Sequence, residues 1–186
     1  MGVDEYPKIS VAYKGAFDLN EIYSLMHDFL AELGYVAADF DDVGPSDLYE
    51  TEYLEVGDSP RDYLAKWKTK KSGQQDFFLS RIDLVIRGTA ITKTEVMVGG
   101  KKEKLDRGDL TIEIKSSFET DVKKIMENHW LVKHFKGKFK EMISGMKKKE
   151  VESFEGELRD LHNFIKRYFK MKGEKLIAEL SPVSKG

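Results

Sequence analysis

The stretch from Gln74 to Asp121 constrains the fold more than any other part of the chain. Within it, apolar side chains alternate with polar ones at Leu110, Ile112, Ile114 and Phe118. A period of two is typical of a strand with one buried and one solvated face. A shift of one residue in pairing would turn the whole apolar set to water, so the register of this strand is strongly specified.

The rest of this stretch reads as further strands of the same sheet. One face carries Phe78, Ile82, Leu84 and Ile86, and the opposite face carries Arg81, Asp83 and Arg87. Gly88 is predicted to end that strand, and a second is predicted from Ile91 to Val98. Gly99-Gly100 favours a tight hairpin, and the returning strand Lys101–Leu105 is expected to stop at a turn over residues 106–109. This order predicts an antiparallel meander with one solvated face.

Three more strands are predicted before the central stretch. Residues 7–15 alternate as a half-buried strand. Residues 48–56 are predicted to place Leu48, Glu50, Glu52, Leu54 and Val56 on one face. Residues 62–71 are predicted to place Tyr63, Ala65, Trp67 and Thr69 on one face.

Helical spacing appears in two regions. After Asp18, a candidate N-cap, apolar residues continue at intervals of three and four as far as Leu33, and Gly34 is a typical stop. From Val122 the pattern is helical again, with an end or kink expected at Ser144-Gly145. The last seam is Val151, Phe154, Leu158, Leu161, Ile165 and Tyr168, and Gly173 is predicted to close it.

These elements predict an α+β protein. We expect an antiparallel sheet of about six or seven strands, one helix after the first strand, and long C-terminal helices packed on one face of the sheet. Residues 1–173 are predicted to form a single domain, and residues 174–186 a flexible tail.

The order of elements over residues 7–172 resembles the helix-grip arrangement of START and polyketide-cyclase-like domains, in which a curved sheet wraps the last helix. That resemblance implies a place for an apolar ligand between the sheet and the helix. Separately, three stretches are similar to a group of small uncharacterised archaeal proteins, and this similarity implies no activity. They are YKGAFDLNEIYSLMHDFLAELGY, VGGKKEKLDRGDLTIEI and the region around Trp130.

Several classes of function are disfavoured by residues that the chain lacks. It has no cysteine, and it shows no P-loop, Rossmann, GxSxG or HExxH pattern, so we expect no cofactor. It has no run of about 18 apolar residues and no apolar signal core after Met1, so we expect a cytoplasmic protein without a membrane span. Glu50 with Glu52 and Glu113 with Glu119 are the candidate carboxylate pairs, but ion pairing across strands to Lys66, Lys68 or Lys115 is the favoured explanation for them.

Metal binding is also disfavoured. The acidic residues Asp39, Asp41, Asp42 and Asp47 do not keep the spacing of a calcium loop. His129 and His134 are five residues apart and do not share a helix face, while His27 and His162 lie far apart in the sequence.

Charge is distributed unevenly along the chain. Residues 1–60 contain 14 acidic residues against two lysines, whereas residues 61–186 contain 29 basic and 19 acidic residues. The two parts could attract each other within one fold, or a charged surface could meet another molecule. The leading hypothesis is a non-enzymatic binding or assembly module that uses opposed charged surfaces and the C-terminal helices to self-associate or to bind a protein partner.

Two alternatives remain open. The first is an apolar small molecule bound between sheet and last helix, in a cavity lined by Trp67, Phe118, Ile165 and Phe169. The second is RNA or single-stranded nucleic acid bound by basic residues interleaved with aromatic ones. The basic candidates are Arg61, Lys66, Lys68, Lys70, Lys71, Lys133, Lys136, Lys140, Lys147, Lys148 and Lys149.

Overall fold

A computed structural model describes residues 2–38, 49–73, 77–98, 101–120 and 136–180. The strands are β1 (Gly2–Glu5), β2 (Ile9–Phe17), β3 (Val36–Ala37), β4 (Glu50–Val56), β5 (Arg61–Ser72), β6 (Phe78–Val98) and β7 (Lys101–Thr120). The helices are α1 (Leu19–Glu32) and α2 (Lys136–Leu180). The predicted α+β class and antiparallel sheet are confirmed.

The seven strands form one antiparallel sheet. The long strands lie in the order β7, β6, β5. At one edge of the sheet, β1 and β2 both pair with β7, at different positions along its length. At the other edge, β3 and β4 both pair with β5 in the same way. Because β2 and β3 lie on opposite edges, the intervening α1 crosses the sheet. The predicted first strand is β2, and a four-residue strand, β1, precedes it.

The sequence signals at both ends of α1 are confirmed. Asp18 is the N-cap, and its carboxylate accepts a hydrogen bond from the Glu21 backbone N–H at 3.0 Å. Gly34 follows the helix with a φ of 84°, a conformation that most residues adopt only under strain. The buried stripe of α1 is Leu19, Ile22, Met26 and Leu30.

The core lies between the two helices and one side of the sheet, called the inner face. The predicted inner-face residues are confirmed: Tyr63, Ala65, Trp67 and Thr69 on β5, Phe78, Ile82, Leu84 and Ile86 on β6, and Leu110, Ile112, Ile114 and Phe118 on β7 are all buried. The register places Leu84 opposite Ile114 and Ile86 opposite Ile112. Burial of each such side chain stabilises the fold by about 1.5–3 kcal/mol.

Two predicted breaks in the central stretch were wrong. β6 continues through Gly88, and β7 continues through residues 106–109. The extra length is absorbed by an irregularity between Thr89 and Thr92, where Ala90 has a φ of 52°. A Cβ on Gly108 would lie 2.9 Å from the Thr89 carbonyl oxygen. This glycine therefore serves a close approach between two paired strands, as at other β-bulges, and it does not form a turn.

The helix α2 is continuous through Ser144-Gly145 and past Gly173, so the stops predicted there were wrong. Its predicted seam is confirmed as a buried face, with Phe154, Leu158, Leu161, Ile165 and Tyr168 in the same core cluster as the sheet. The two helices touch where Phe29 stacks on Phe164 with ring centroids 5.1 Å apart. The boundary at residue 173 and the flexible tail stay predictions. In the described residues, no helix is both long and apolar enough to cross a membrane.

Candidate protein-interaction site

The strand β4 lies at an edge of the sheet. Among the described residues it pairs with β5 alone, and all seven of its residues are exposed. Three of them are large and apolar: Tyr53, Leu54 and Val56 are 53%, 51% and 57% exposed. An exposed edge strand offers unpaired backbone N–H and C=O groups to another chain. β4 is therefore a candidate site for strand addition.

The hydrogen bonds of β5 identify the free backbone groups of β4. The Lys68 N–H donates to the Tyr49 carbonyl at 2.9 Å, and the Lys68 carbonyl accepts from the Ala38 N–H at 3.0 Å. Backbone groups alternate in direction along a strand, so even-numbered residues of β5 face β4. Their partners are Glu52 and Leu54. The N–H and C=O groups of Tyr53 and Glu55 therefore point away from the sheet.

The side-chain faces of β4 differ from the prediction. A register shift between Glu50 and Glu52 places Glu50 opposite Trp67, whose side chain is on the inner face, and Glu52 opposite Lys66. Glu52 accordingly pairs with Lys66 Nζ at 2.7 Å. Because the irregularity adds one residue, Glu50 and Glu52 lie on opposite faces, and the prediction that they share a face was wrong. Leu48, which was predicted to lie on the same face as Glu50 and Glu52, falls outside the described residues.

On the inner side, an aromatic cluster fixes the beginning of β4. The indole N–H of Trp67 donates to the Tyr23 hydroxyl at 2.8 Å, and the Tyr23 hydroxyl donates to a carboxylate oxygen of Glu50. Burial, followed by the hydrogen bond to Glu50, raises the pKa of Tyr23, so its phenol stays a neutral donor near pH 7. The side chain of Glu50 is thereby held against α1.

A second set of contacts fixes the end of β4. The Tyr53 hydroxyl donates to Glu55 at 2.7 Å, and the Arg61 guanidinium contacts the same carboxylate. Arg61 also pairs with the buried Asp106 at 3.0 Å. The hydrogen bond from Tyr53, and then that from Arg61, lowers the pKa of Glu55. Three carboxylates therefore lie along β4, of which Glu52 pairs with Lys66 and Glu55 with Arg61, and contacts hold the strand at both ends.

The far end of the β6–β7 hairpin forms a second exposed feature, which we call the arm: residues 92–98 of β6 and 101–105 of β7. Pairing with β5 ends at Ile91, and pairing with β2 ends at Asp106. Beyond these points the described residues of β6 and β7 pair only with each other. The arm is basic, because it carries Lys93, Lys101, Lys102 and Lys104 against Glu95 and Glu103.

The outer face of the sheet, opposite the helices, carries a mixture of paired charges. Glu113 contacts Lys8 at 3.1 Å and Arg87 at 3.5 Å, and Arg81 contacts Glu119 at 2.8 Å. The structure thus shows Glu113 and Glu119 in ion pairs, which is the explanation that the sequence offered as the alternative to catalysis by these carboxylates.

A depression of about 330 Å³ lies on this outer face, lined by the acidic residues Glu5 and Asp83 and the basic residues Lys8, Arg81 and Lys115. Burial raises the pKa of Asp83 although Lys68, Arg81 and Lys115 lower it. The balance of signs within the depression gives no preference for an anion or for a cation.

Most of the described basic candidates for a polyanion are neutralised within the fold. Arg61 pairs with Glu55 and Asp106, Lys66 with Glu52, Lys71 with Glu157, Lys147 with Asp4, and Lys148 with Glu152. Lys68 lies near Asp83 on the outer face, and Lys70 and Lys149 lie on β5 and α2. Lys133 and the side chains of Lys136 and Lys140 lie outside the described set.

The four candidate cavity residues are all buried in one core cluster. Trp67 packs on Tyr23, with ring centroids 4.4 Å apart, and Phe118 packs on Phe78 at 5.8 Å. Phe169 stacks on Tyr13 at 4.5 Å, and Ile165 is fully buried in the same core cluster. The structure brings them into one core, and a ligand cavity between them stays a prediction.

The candidate metal residues are dispersed where they are described. The His27 ring lies 4.9 Å from the Tyr49 ring, and burial, followed by Lys166, lowers the pKa of His162 on α2. Asp39, Asp41, Asp42, Asp47, His129 and His134 fall outside the described residues. Within the described ranges, no three His, Asp or Glu side chains are placed to hold a metal ion.

The arm and the irregularity in β4 were missed in the sequence. The signal for the arm was present in the sequence, because Gly99-Gly100 favours a tight hairpin and Gly88 and Gly108 lie on either side of it. Both glycines were interpreted as turns. A scan against protein-family models, a search of curated proteins and a search of solved structures returned no significant match to this chain.

Proposed function

We propose that this protein is a non-enzymatic binding module that adds an extended, basic segment of a partner to the β4 edge. One observation carries the proposal: a seven-residue edge strand, exposed along its whole length, combines apolar side chains with three carboxylates. Main-chain hydrogen bonds would supply affinity, and the side chains would supply the preference for a basic partner.

Fixed geometry supports binding at this edge. The contacts of Glu50 with Tyr23, and of Glu55 with Tyr53 and Arg61, hold both ends of the strand in place. A partner strand therefore meets an ordered template, and less conformational entropy is lost on binding than with a mobile edge. The apolar seam of α2 packs on the sheet, so the C-terminal helices contribute to the fold and the interaction is assigned to β4.

The proposal is tested by fluorescence polarisation with a labelled peptide of about eight residues that alternates lysine and valine. We expect the wild-type protein to bind it, and binding should weaken as salt screens the charges. A peptide with glutamate in place of lysine should bind at least about tenfold more weakly. Equal affinity for both peptides would contradict the proposal.

Two variants locate the binding site. Glu55→Pro removes both a backbone N–H that points away from the sheet and the carboxylate that contacts Tyr53 and Arg61, so it should abolish binding. The matched control is Glu152→Gln, which removes an exposed carboxylate on α2 and should bind like the wild type. Circular dichroism checks that both variants fold.

A second candidate function, an apolar ligand in a helix-grip domain, is supported by the strand order. The first long strand, β2, lies beside the last, β7, and α2 packs across the face between the edges. Native mass spectrometry of the protein purified from its own host would test this candidate. A mass equal to that of the bare chain, under conditions that preserve a known lipid complex, would argue against it.

A further inference from the structure

We infer that the basic segment received by β4 is the arm of a second copy of this chain. This inference rests on the proposed function, because it names the partner of the same edge. In the resulting dimer, the arm of each copy would lie along β4 of the other, and the two contacts would be equivalent. A two-fold axis closes such an assembly at two copies.

Charge is the first support for this pairing. β4 contributes Glu50, Glu52 and Glu55, and the β7 part of the arm contributes Lys101, Lys102 and Lys104. Partners within the chain offset part of this charge, since Glu52 pairs with Lys66, Glu55 with Arg61, Lys102 with Glu95 and Lys93 of the arm with Asp106. Pairing β4 with β4 would oppose like charges, and so would pairing one arm with another. Two copies could pair β4 with β4, one arm with the other, or β4 with the arm. Of these three, the pairing of β4 with the arm alone brings opposite charges together.

The second support is that β4 and the arm each have an edge without a partner strand in the described residues, and each could serve as the partner strand of the other. The arm is a two-stranded ribbon with no third strand in the described residues, and such a ribbon is marginally stable in water. Lys102, Glu103 and Lys104 are exposed, as are Lys93 and Glu95 on the opposite strand. A third strand along the arm would satisfy its free backbone groups and those of Tyr53 and Glu55 at once.

The third support is position. Val56, at the end of β4, lies opposite Asp62, and Arg61 lies opposite Ile91, where the arm begins. The end of β4 and the base of the arm are therefore at the same end of the sheet. A two-fold axis beyond that end directs the arm of each copy toward β4 of the other.

Length is consistent with this arrangement. The β6 part of the arm has the same number of residues as β4, and the β7 part is two residues shorter. At about 3.3 Å per residue the two segments cover similar distances. No stretch of β4 would remain as a long exposed edge after pairing.

Multi-angle light scattering on the full chain tests the inference. We expect a dimer at low salt, and dissociation as salt rises to about 0.5 M, because the contacting charges are exposed and screened. An arm-reversed variant, K101E/K102E/K104E, should be a monomer, since its arm repels β4. An edge-reversed variant, E52K/E55K, should be a monomer for the same reason.

The decisive sample is an equal mixture of the two reversed variants. In the mixed dimer the acidic arm meets the basic edge and the basic arm meets the acidic edge, so both contacts are complementary again. Dimer should therefore return on mixing, although each variant alone is monomeric. The control variant K148E/K149E changes charge on α2 and should dimerise like the wild type.

Failure of the inference can be told apart from failure of the proposed function. A wild-type chain that stays monomeric at low salt but binds the lysine–valine peptide would overturn the inference and keep the proposal. A monomer that binds no peptide would reject both. A dimer that persists in the arm-reversed variant would place the interface elsewhere and overturn the inference. If E52K/E55K does not fold, E55P replaces it as the edge variant and should also be monomeric.

Discussion

The β6–β7 hairpin has two parts that are both paired antiparallel but differ in their neighbouring strands and in the burial of their side chains. The sheet body, residues 78–91 and 106–120, has neighbours on both sides and a buried inner face. The arm continues the same antiparallel pairing, shifted by one residue at the irregularity between Thr89 and Thr92, but it has no third strand among the described residues. Backbone pairing is thus common to both parts, whereas buried apolar side chains are concentrated in the body; among the described side chains of the arm, only Leu105 at its base is buried. The difference indicates that the body carries stability and leaves the arm available for binding.

The largest expected effect tests where the stability lies. Ile112→Ala in the body removes a fully buried side chain and should lower the free energy of unfolding by about 2–5 kcal/mol. Val96→Ala in the arm should change it by less than about 0.5 kcal/mol, because Val96 is only half-buried. Urea denaturation of both variants measures the comparison, and equal losses would contradict it.

The junction of body and arm should show an intermediate effect. Gly108→Ala forces a Cβ within 2.9 Å of the Thr89 carbonyl oxygen, which we expect to cost about 1–3 kcal/mol. Gly145→Ala is the matched control, because nothing lies within 4 Å of its added Cβ in α2. In that helix alanine should stabilise by about 0.5–1 kcal/mol. Thermal melts that move in the same direction for both would reject this account of the bulge.

The smallest effect concerns a carboxylate on the outer face of the body. Because burial raises the pKa of Asp83, the folded protein binds its proton more tightly than the unfolded chain does. Ionisation of Asp83 therefore costs stability above its folded pKa, and this cost disappears as the pH falls below the unfolded value.

Asp83→Asn should consequently raise stability at pH 7, by less than about 1 kcal/mol, and have no such benefit near pH 3. The matched arm variant Glu95→Gln, at an exposed site, should show no comparable pH dependence. Urea unfolding at the two pH values measures both. A loss of stability for Asp83→Asn at pH 7 would mean that attraction to its lysine and arginine neighbours outweighs burial.

Much of the architecture could be predicted from the sequence. The alternation from Leu110 to Phe118, the capped helix after Asp18 and the repeat from Val151 to Tyr168 each identify a buried face correctly. These signals are local, since period and capping depend on neighbours in the chain. Gly88 and Gly108 were misinterpreted because a glycine at a turn and a glycine at a close approach look the same in a sequence.

The candidate site was less accessible to prediction. The acidic character of residues 50–55 and the basic character of residues 101–104 are plain in the sequence, and so is the opposition of charge between the two parts of the chain. That Glu50 and Glu52 lie on opposite faces depends on one irregular pairing with β5. No composition or period encodes that pairing.

The sequence by itself determined most of the strand and helix segments and the buried faces of β5, β6, β7 and the two helices, because hydrophobic burial dominates and follows local periodicity. The tertiary structure decided which strands have two neighbours and which have one. That outcome depends on contacts between segments that are distant in the chain. For example, the pairing of β2 with β7 ends at Asp106, and the pairing of β5 with β6 ends at Ile91. Among the described residues, β4 and the arm lack a second neighbour for that reason, and the proposed function rests on these two edges.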